Sequence, residues 1–217
     1  MRRFRVLPLR LLAAAAIGTL SFGGIAYAAS LGLSSNKLFA WGQTLTKGTC
    51  NQTSTTADDT YVQQALPTST AGGTATTLTI SPVAAAQDYA FIRFNLSGCS
   101  IPTTGGADSA VLTVNVRTTG ADTVSLFPVT SSWTSSTLTW NGVSGLTIGS
   151  TATGSFSAST TGAKTVTVTA DVDNAIKAGN LWGWELRATS GTAIVAIGAA
   201  ENGTAANRPS MTLSYEK

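Results

Sequence analysis

The side chains of this sequence that could do chemistry fall into two groups. The first offers oxygen ligands. "ADDTYV" puts Asp58 and Asp59 just before an early strand, and "AAENGT" puts Glu201 and Asn202 just after a late one. If the first and last strands lie together, these oxygens meet. Carboxylates with amide and backbone carbonyl oxygens are the ligands calcium takes. No dedicated calcium loop accompanies them, so a metal-free pair of turns is the preferred reading. A structural calcium is the alternative, and no cofactor is required. The second group is indole. "SSWTSSTLTWNG" places Trp133 and Trp140 seven residues apart in a run of Ser and Thr, and "LWGWELRA" places Trp182 and Trp184 two apart. Indole faces pack on the C–H groups of sugars, and they also fill protein cores.

The pattern around each tryptophan weighs one use against the other. "TLTW" reads as a strand with Leu138 and Trp140 on one face, which makes Trp140 core. Trp133 lies near a loop, where core is preferred and a sugar platform is the alternative. Trp182 and Trp184 share a strand face with Leu186. That alternation is the usual inward pattern, and a flat sugar-binding strip is the competing use. Arg93, Asn115 and Arg117 fall on outward strand faces. They are either ordinary solvated positions or donors to sugar hydroxyls.

Much else is excluded. The chain has no His, which removes Ser-His-Asp and Cys-His catalysis and the usual zinc hydrolase sites. No phosphate-binding glycine loop is present. The ten acids show no spacing that pairs two of them for glycoside hydrolysis. A lyase built on Tyr and Arg is the enzymatic version left open. Asn51, Asn95 and Asn202 open N-glycosylation triplets, a pattern common by chance in a Thr-rich chain.

The elements that must position these residues follow a leader. "MRRFRVLPLR", an apolar run and Ala26-Tyr27-Ala28 read as a signal peptide over 1–28. Its removal takes four arginines, so 13 − 4 = 9 basic residues face 10 acidic ones and a net charge of +3 becomes −1. That balance argues against nucleic acid, and against a membrane partner after cleavage. Residues 29–56 read as an N-terminal arm or leading strand, and 57–217 as one domain. Cys50 and Cys99 form an even pair in a secreted chain, read as a disulfide with free buried thiols as the alternative.

Period-two runs dominate after residue 57. "YAFIRFNL" sets Ile92, Phe94 and Leu96 against Phe91, Arg93 and Asn95. "AVLTVNVR" sets Leu112, Val114 and Val116 against Thr113, Asn115 and Arg117. "KTVTVTADV" and "SMTLSYE" alternate likewise, and Pro128 marks an edge or strand end. "ADVDNAIKAGN" predicts one short helix capped by Asp171, with Val172, Ala175 and Ile176 inward and Gly179 at its end. The fold class expected is all-β, a jelly-roll-type antiparallel sandwich with one short helix.

The ordered series "DDTYV", "YAFIRFNLSGCSIP", "ADSAVLTVNV", "SSWTSSTLTWNG", "VTVTADVDNAIKAGN", "GWELRA" and "AAENGTAANRPSMTLSYE" resembles the DNRLRE-type domain, a group that includes the family 96 carbohydrate-binding modules. The resemblance spans about Asp58 to Lys217. It implies a secreted, usually non-catalytic β-sandwich, with some members binding polysaccharide. It implies a framework role for the Trp133–Trp140 pair. It also favours the disulfide, since Cys50 and Cys99 resemble the pair in secreted actinobacterial relatives. Asn95 and Ser135 depart from acidic residues typical of the family. The expected function is non-enzymatic docking to polysaccharide or a cell-envelope glycan, outside the cell. A self-associating surface protein is the alternative.

Overall fold

The computed structural model describes residues 46–216 apart from 54–55, 103–104 and 121. The expected leader, Trp41 and most of the arm lie outside the described residues. Among those described, the strands are β1 (Lys47–Gln52), β2 (Ala57–Gln63), β3 (Thr77–Ile80), β4 (Asp88–Phe94), β5 (Ala107–Thr118), β6 (Thr123–Pro128), β7 (Gly154–Ser157), β8 (Gly162–Thr167), β9 (Trp184–Ala188), β10 (Val195–Gly198) and β11 (Ser210–Glu216). Two short α-helices accompany them, α1 (Trp140–Val143) and α2 (Thr169–Ala178).

The strands pair antiparallel in two sheets. The first runs β1-β11-β5-β10-β3, with β8 also on β5; the second runs β2-β4-β9-β6-β7. The protein is therefore an all-β antiparallel sandwich, as the alternation predicts. The first and last strands lie side by side, Cys50 opposite Leu213. Alternate residues of each strand fill the space between the sheets. Leu112, Val114 and Val116 of β5 and Met211, Leu213 and Tyr215 of β11 meet Ile92, Phe94, Trp184 and Leu186 from the second sheet. The β-branched and aromatic residues at every second position suit a pleated surface with one buried face.

The second sheet departs from that simple scheme, because its outer face is also buried. Phe91 and Val62 on that face are covered by the segment between β6 and β7, which brings Val129, Trp133 and Leu138 down onto them. "TLTW" is therefore not a strand. Leu138 inserts into this outer cluster, and Thr139 caps α1, its hydroxyl accepting from the Gly142 N–H at 3.2 Å. Trp140 is half-buried and packs on Tyr89 with ring centroids 4.8 Å apart. Its core role is real but belongs to the outer layer. Pro128 ends β6, which lies between β9 and β7, so it marks a strand end and not an edge.

α2 ends as predicted, on Gly179 at φ +76°. Val172 is fully buried while Ala175 and Ile176 are partly so. Its start differs. The N-cap is Val168, without a side-chain cap, and Asp171 lies inside the first turn. The Asp171 carboxylate instead accepts the Trp184 indole N–H at 2.7 Å and the Thr153 hydroxyl. A buried indole N–H without an acceptor costs about 1–3 kcal/mol, which accounts for Asp171 serving the core.

Candidate functional site

Gly183 decides where two of the tryptophans go. In a regular strand, Trp182 and Trp184 would share a face. Gly183 adopts φ +76°, and a Cβ there would lie 1.9 Å from the Ile92 carbonyl oxygen. The chain can make this close, left-handed step only with glycine. β9 begins after it, and the two indoles part. Trp184 enters the core between the sheets with no exposed surface, so it presents nothing to a glycan. Trp182 stays outside, half-buried, beside Trp133. The shared strand face expected for the two indoles is thereby corrected: Trp184 takes the inward place that was the preferred reading, and the competing two-tryptophan strip is not formed.

Trp133 is also buried, at 5% exposure. Its indole N–H donates to the Trp182 carbonyl at 2.7 Å, and its ring meets Phe91 edge-on at 5.7 Å. It is framework, and it holds Trp182 in place. Between the two indoles sits the Arg93 guanidinium, 5.0 Å from the Trp133 ring centre and 5.4 Å from that of Trp182. Arg93 donates through Nε at 2.9 Å and Nη2 at 2.6 Å to Asp58 Oδ2. β2 and β4 pair in register here, Asp58 opposite Arg93, so the ion pair is a direct cross-strand contact.

Asp58, Arg93 and Trp182 line one side of a groove of about 810 Å³. It lies between the start of β2, the end of β4 with its following turn, and the end of α2. That volume falls within the range of about 300–1,000 Å³ usual for ligand clefts. Trp182, Arg93 and Asp58 stand along it with Asn95, Ser97 and Asn180. Asn95 caps the turn Leu96–Gly98, its Oδ1 accepting the Ser97 N–H at 2.9 Å. Asn180 follows the Gly179 stop, and its backbone N–H returns to the Ala175 carbonyl. That closure of the helix end leaves its side-chain amide without a partner among the described residues.

The Cys50–Cys99 disulfide is formed, with Cα atoms 5.7 Å apart. It ties β1 to the Asn95–Pro102 segment, which forms one groove wall. The Gln52 amide lies 2.8 Å from Cys99 Sγ and 3.0 Å from Cys50 Sγ.

The remaining sequence candidates lie elsewhere. Asn115 and Arg117 are on β5 of the first sheet and do not line the groove. Asn115 donates to the Ala206 carbonyl at 3.2 Å and Arg117 to Asn207 Oδ1 at 2.9 Å. Both secure the turn Ala205–Asn207, beside a depression of only about 200 Å³.

The oxygen constellation is half assembled. Asp58 and Asp59 are neighbours on one strand and so point to opposite faces. Asp59 is buried and reaches the turn after β10, where Oδ2 accepts the Ala200 N–H at 2.7 Å. The Glu201 carboxyl lies within hydrogen-bonding reach of it. Burial, with Glu201 adding to it, pushes the Asp59 carboxyl up to about 8. Asn202 bonds the Thr76 carbonyl and the Thr204 N–H. Asp58 and Asn202 are thus committed away from the Asp59–Glu201 contact. Among the described residues no group of three or more acids, Cys or His gathers for a metal.

A second buried acid, Glu185, lies on the outer face of β9 paired with Arg187, whose guanidinium covers the Tyr89 and Phe127 rings. Burial raises its pKa and Arg187 opposes the rise. Here an acid, a Tyr and an Arg do gather, but in a packed layer of side chains.

A family model for carbohydrate-binding module family 96 matches residues 51–215. The chain belongs to carbohydrate-binding module family 96. A comparison with curated proteins finds no match. The family-96 match covers both sheets except for most of β1, and it includes the whole groove. A carbohydrate-binding module with a disulfide fits an extracellular protein. Among the described residues no helix is long and apolar enough to cross a membrane.

Sequence reasoning named Trp182 and Arg93 as candidates, and both line the groove. It weighed Asp58 only as part of a metal-free turn pair or, alternatively, a calcium site, and it missed Asn95 and Asn180 as groove residues. The signal for Asn180 was present in "KAGNLW", a helix stop followed at once by a Trp.

Proposed function

We propose that the protein is a secreted, non-catalytic module that docks on polysaccharide through the groove between β2, β4 and α2. The observation that carries this reading is Trp182 set at the groove beside the Asp58–Arg93 pair, with two asparagine side chains nearby. A sugar ring needs an apolar contact for its C–H face and fixed hydrogen-bonding groups for its hydroxyls. The groove offers both, and its wall is braced by a disulfide. Docking of this kind needs no cofactor and no proton transfer.

Affinity electrophoresis of the folded chain through gels containing single polysaccharides tests the reading. Retardation by at least one glycan that Trp182→Ala weakens at least tenfold is expected. Full binding by that variant would move the site elsewhere.

The second reading is self-association at a surface or in a coat. One observation favours it. β1 pairs with β11 on one side and with no other strand among the described residues, and open strand edges template pairing between copies. A sedimentation profile that shifts with concentration, without glycan affinity, supports that reading over docking.

A further inference from the structure

We propose that the end of the sandwich opposite the groove is a contact surface for a second copy of this chain. Strand direction fixes the two ends. β2 runs from Ala57 at the groove to Gln63, and β4 runs back from Asp88 to Phe94. The far end therefore holds the chain that leaves β2, the β3–β4 turn and the turn that leads into β10, since Val195 pairs with Ile80 and Ser81 with Asp88. β2 and β4 are seven residues long, which puts this end about 20 Å from the groove.

Among the described residues three large apolar side chains are exposed, Leu66 at 54%, Val83 at 40% and Ile194 at 54%. Each belongs to a different one of those three loops. The first two loops adjoin. The Gln64 N–H donates to the Gln87 carbonyl at 2.8 Å, and the Gln87 N–H donates to Gln64 Oε1 at 3.2 Å. The β3–β4 turn is held out from a firm base. Ser81 and Asp88 exchange backbone hydrogen bonds at 3.0 and 3.1 Å, and the Ala86 N–H returns to the Val83 carbonyl at 2.9 Å. Val83 to Ala86 stand exposed at its tip, where Ala85 holds φ +64°, a region that residues other than glycine seldom enter.

Charge selects the occupant. Residues 64–70 read "QALPTST", 82–87 "PVAAAQ" and 189–194 "TSGTAI", with no Asp, Glu, Lys or Arg in any of the three. Asp88 and Asp122, which adjoin these loops, are buried, and Arg187 is paired with Glu185. A two-fold contact lays one patch on its own image, so a charge near the axis meets its like. These loops bring no charge to such a contact. Anionic lipid headgroups are drawn by basic side chains, and an oppositely charged protein needs a counter-charge; the loops supply neither. Three exposed apolar side chains, doubled by symmetry, make a contact below the standard interface size, so the pair forms and separates readily. β1 lies at the opposite margin of the first sheet from β3, so this contact is distinct from pairing along the β1 edge. Where the docking reading above holds, a pair joined at these ends carries its grooves at opposite poles and gains avidity for polysaccharide without a new glycan contact.

The test is sedimentation equilibrium of the full chain, exported to an oxidising compartment, from about 10 μM to about 1 mM. Wild type is expected to pass from monomer to dimer and no further, because a two-fold contact closes. Val83→Asp puts a carboxylate on both sides of the contact and is expected to raise the dissociation constant about tenfold or more, with thermal unfolding unchanged. Ile194→Asn is expected to weaken the dimer less, and Val83→Leu to keep it. A chain that stays monomeric to about 1 mM would overturn the inference. Self-association that Val83→Asp and Ile194→Asn both leave intact would also overturn it, and would move the contact to the β1 edge. A monomer that binds vesicles of phosphatidylcholine and phosphatidylglycerol, and loses them in Val83→Asp, would overturn it in favour of a lipid surface. The expected dimer without retardation by any glycan would uphold the inference and overturn only the docking reading.

Discussion

Asp59→Asn should remove most of the pH dependence of stability between about pH 5 and pH 8. Asp59 is buried at 1% exposure, and its carboxyl is pushed up to about 8. In the unfolded chain an Asp titrates at about 3.9. The folded state therefore binds a proton that the unfolded state has released across this window. The sign follows from linkage. The contribution is fully present below about pH 4, falls as pH rises, and is gone above about pH 8. One proton is worth about 1.4 kcal/mol per pH unit, so the loss from pH 5 to pH 8 reaches about 4 kcal/mol. Asp88 and Glu185 are also raised by burial and act in the same direction, so the difference between wild type and variant isolates Asp59. The new amide keeps an oxygen for the Ala200 N–H, which Asp59 binds at 2.7 Å, and offers a donor to Glu201. The assay is urea unfolding of both proteins at about pH 5, 6, 7 and 8. Wild type should lose stability steadily, while the variant, left with only the Asp88 and Glu185 contributions, should lose clearly less. Parallel pH profiles for the two proteins would refute the reasoning.

Four other outcomes follow from the same structure. Millimolar calcium should leave the melting temperature at neutral pH unchanged if the Asp59–Glu201 contact holds only a proton; a rise of several degrees that Asp59→Asn abolishes would assign it a structural calcium. Replacing both Cys50 and Cys99 by Ala should cost about 4 kcal/mol by the chain-entropy argument for a loop with a sequence separation of 49. It should weaken glycan retardation more than a stability-matched core variant does, because Cys99 anchors a groove wall. Trp184→Phe should lower stability by about 2–4 kcal/mol in denaturant melts, through lost volume and an Asp171 carboxylate left without its indole donor, yet bind glycan normally when folded. Gly183→Ala should be destabilised more severely than any surface variant and lose Trp182-dependent binding, since a Cβ at that left-handed position strikes the Ile92 carbonyl.

Several features were legible in the residues alone because they rest on local periodicity. Alternation in β5 and β11 named Leu112, Val114, Val116, Met211, Leu213 and Tyr215 as inward, and all are buried. The helix of residues 169–178 and its Gly179 stop were readable from a 3.6-residue pattern and a glycine signal. The disulfide followed from an even count in a chain read as secreted, and from family resemblance. Arg93 and Trp182 were candidates by residue type.

What tertiary structure alone decided concerns faces and partners. Strand alternation names two faces but does not say whether a second layer covers the outer one. Here the β6–β7 segment does, which set Trp133 against Phe91 on the outer face and sandwiched Arg93 between indoles. Parity through "WGW" assumed a regular strand, and a single left-handed glycine sent the two indoles to opposite sides of the sheet. Asp58 met Arg93 because β2 and β4 pair in one register, and Asp59 met Glu201 because the turn after β10 folds back to the β2 edge. Such meetings join residues 35 and more positions apart in the chain. They depend on strand order and register, which long-range packing sets and no local pattern encodes.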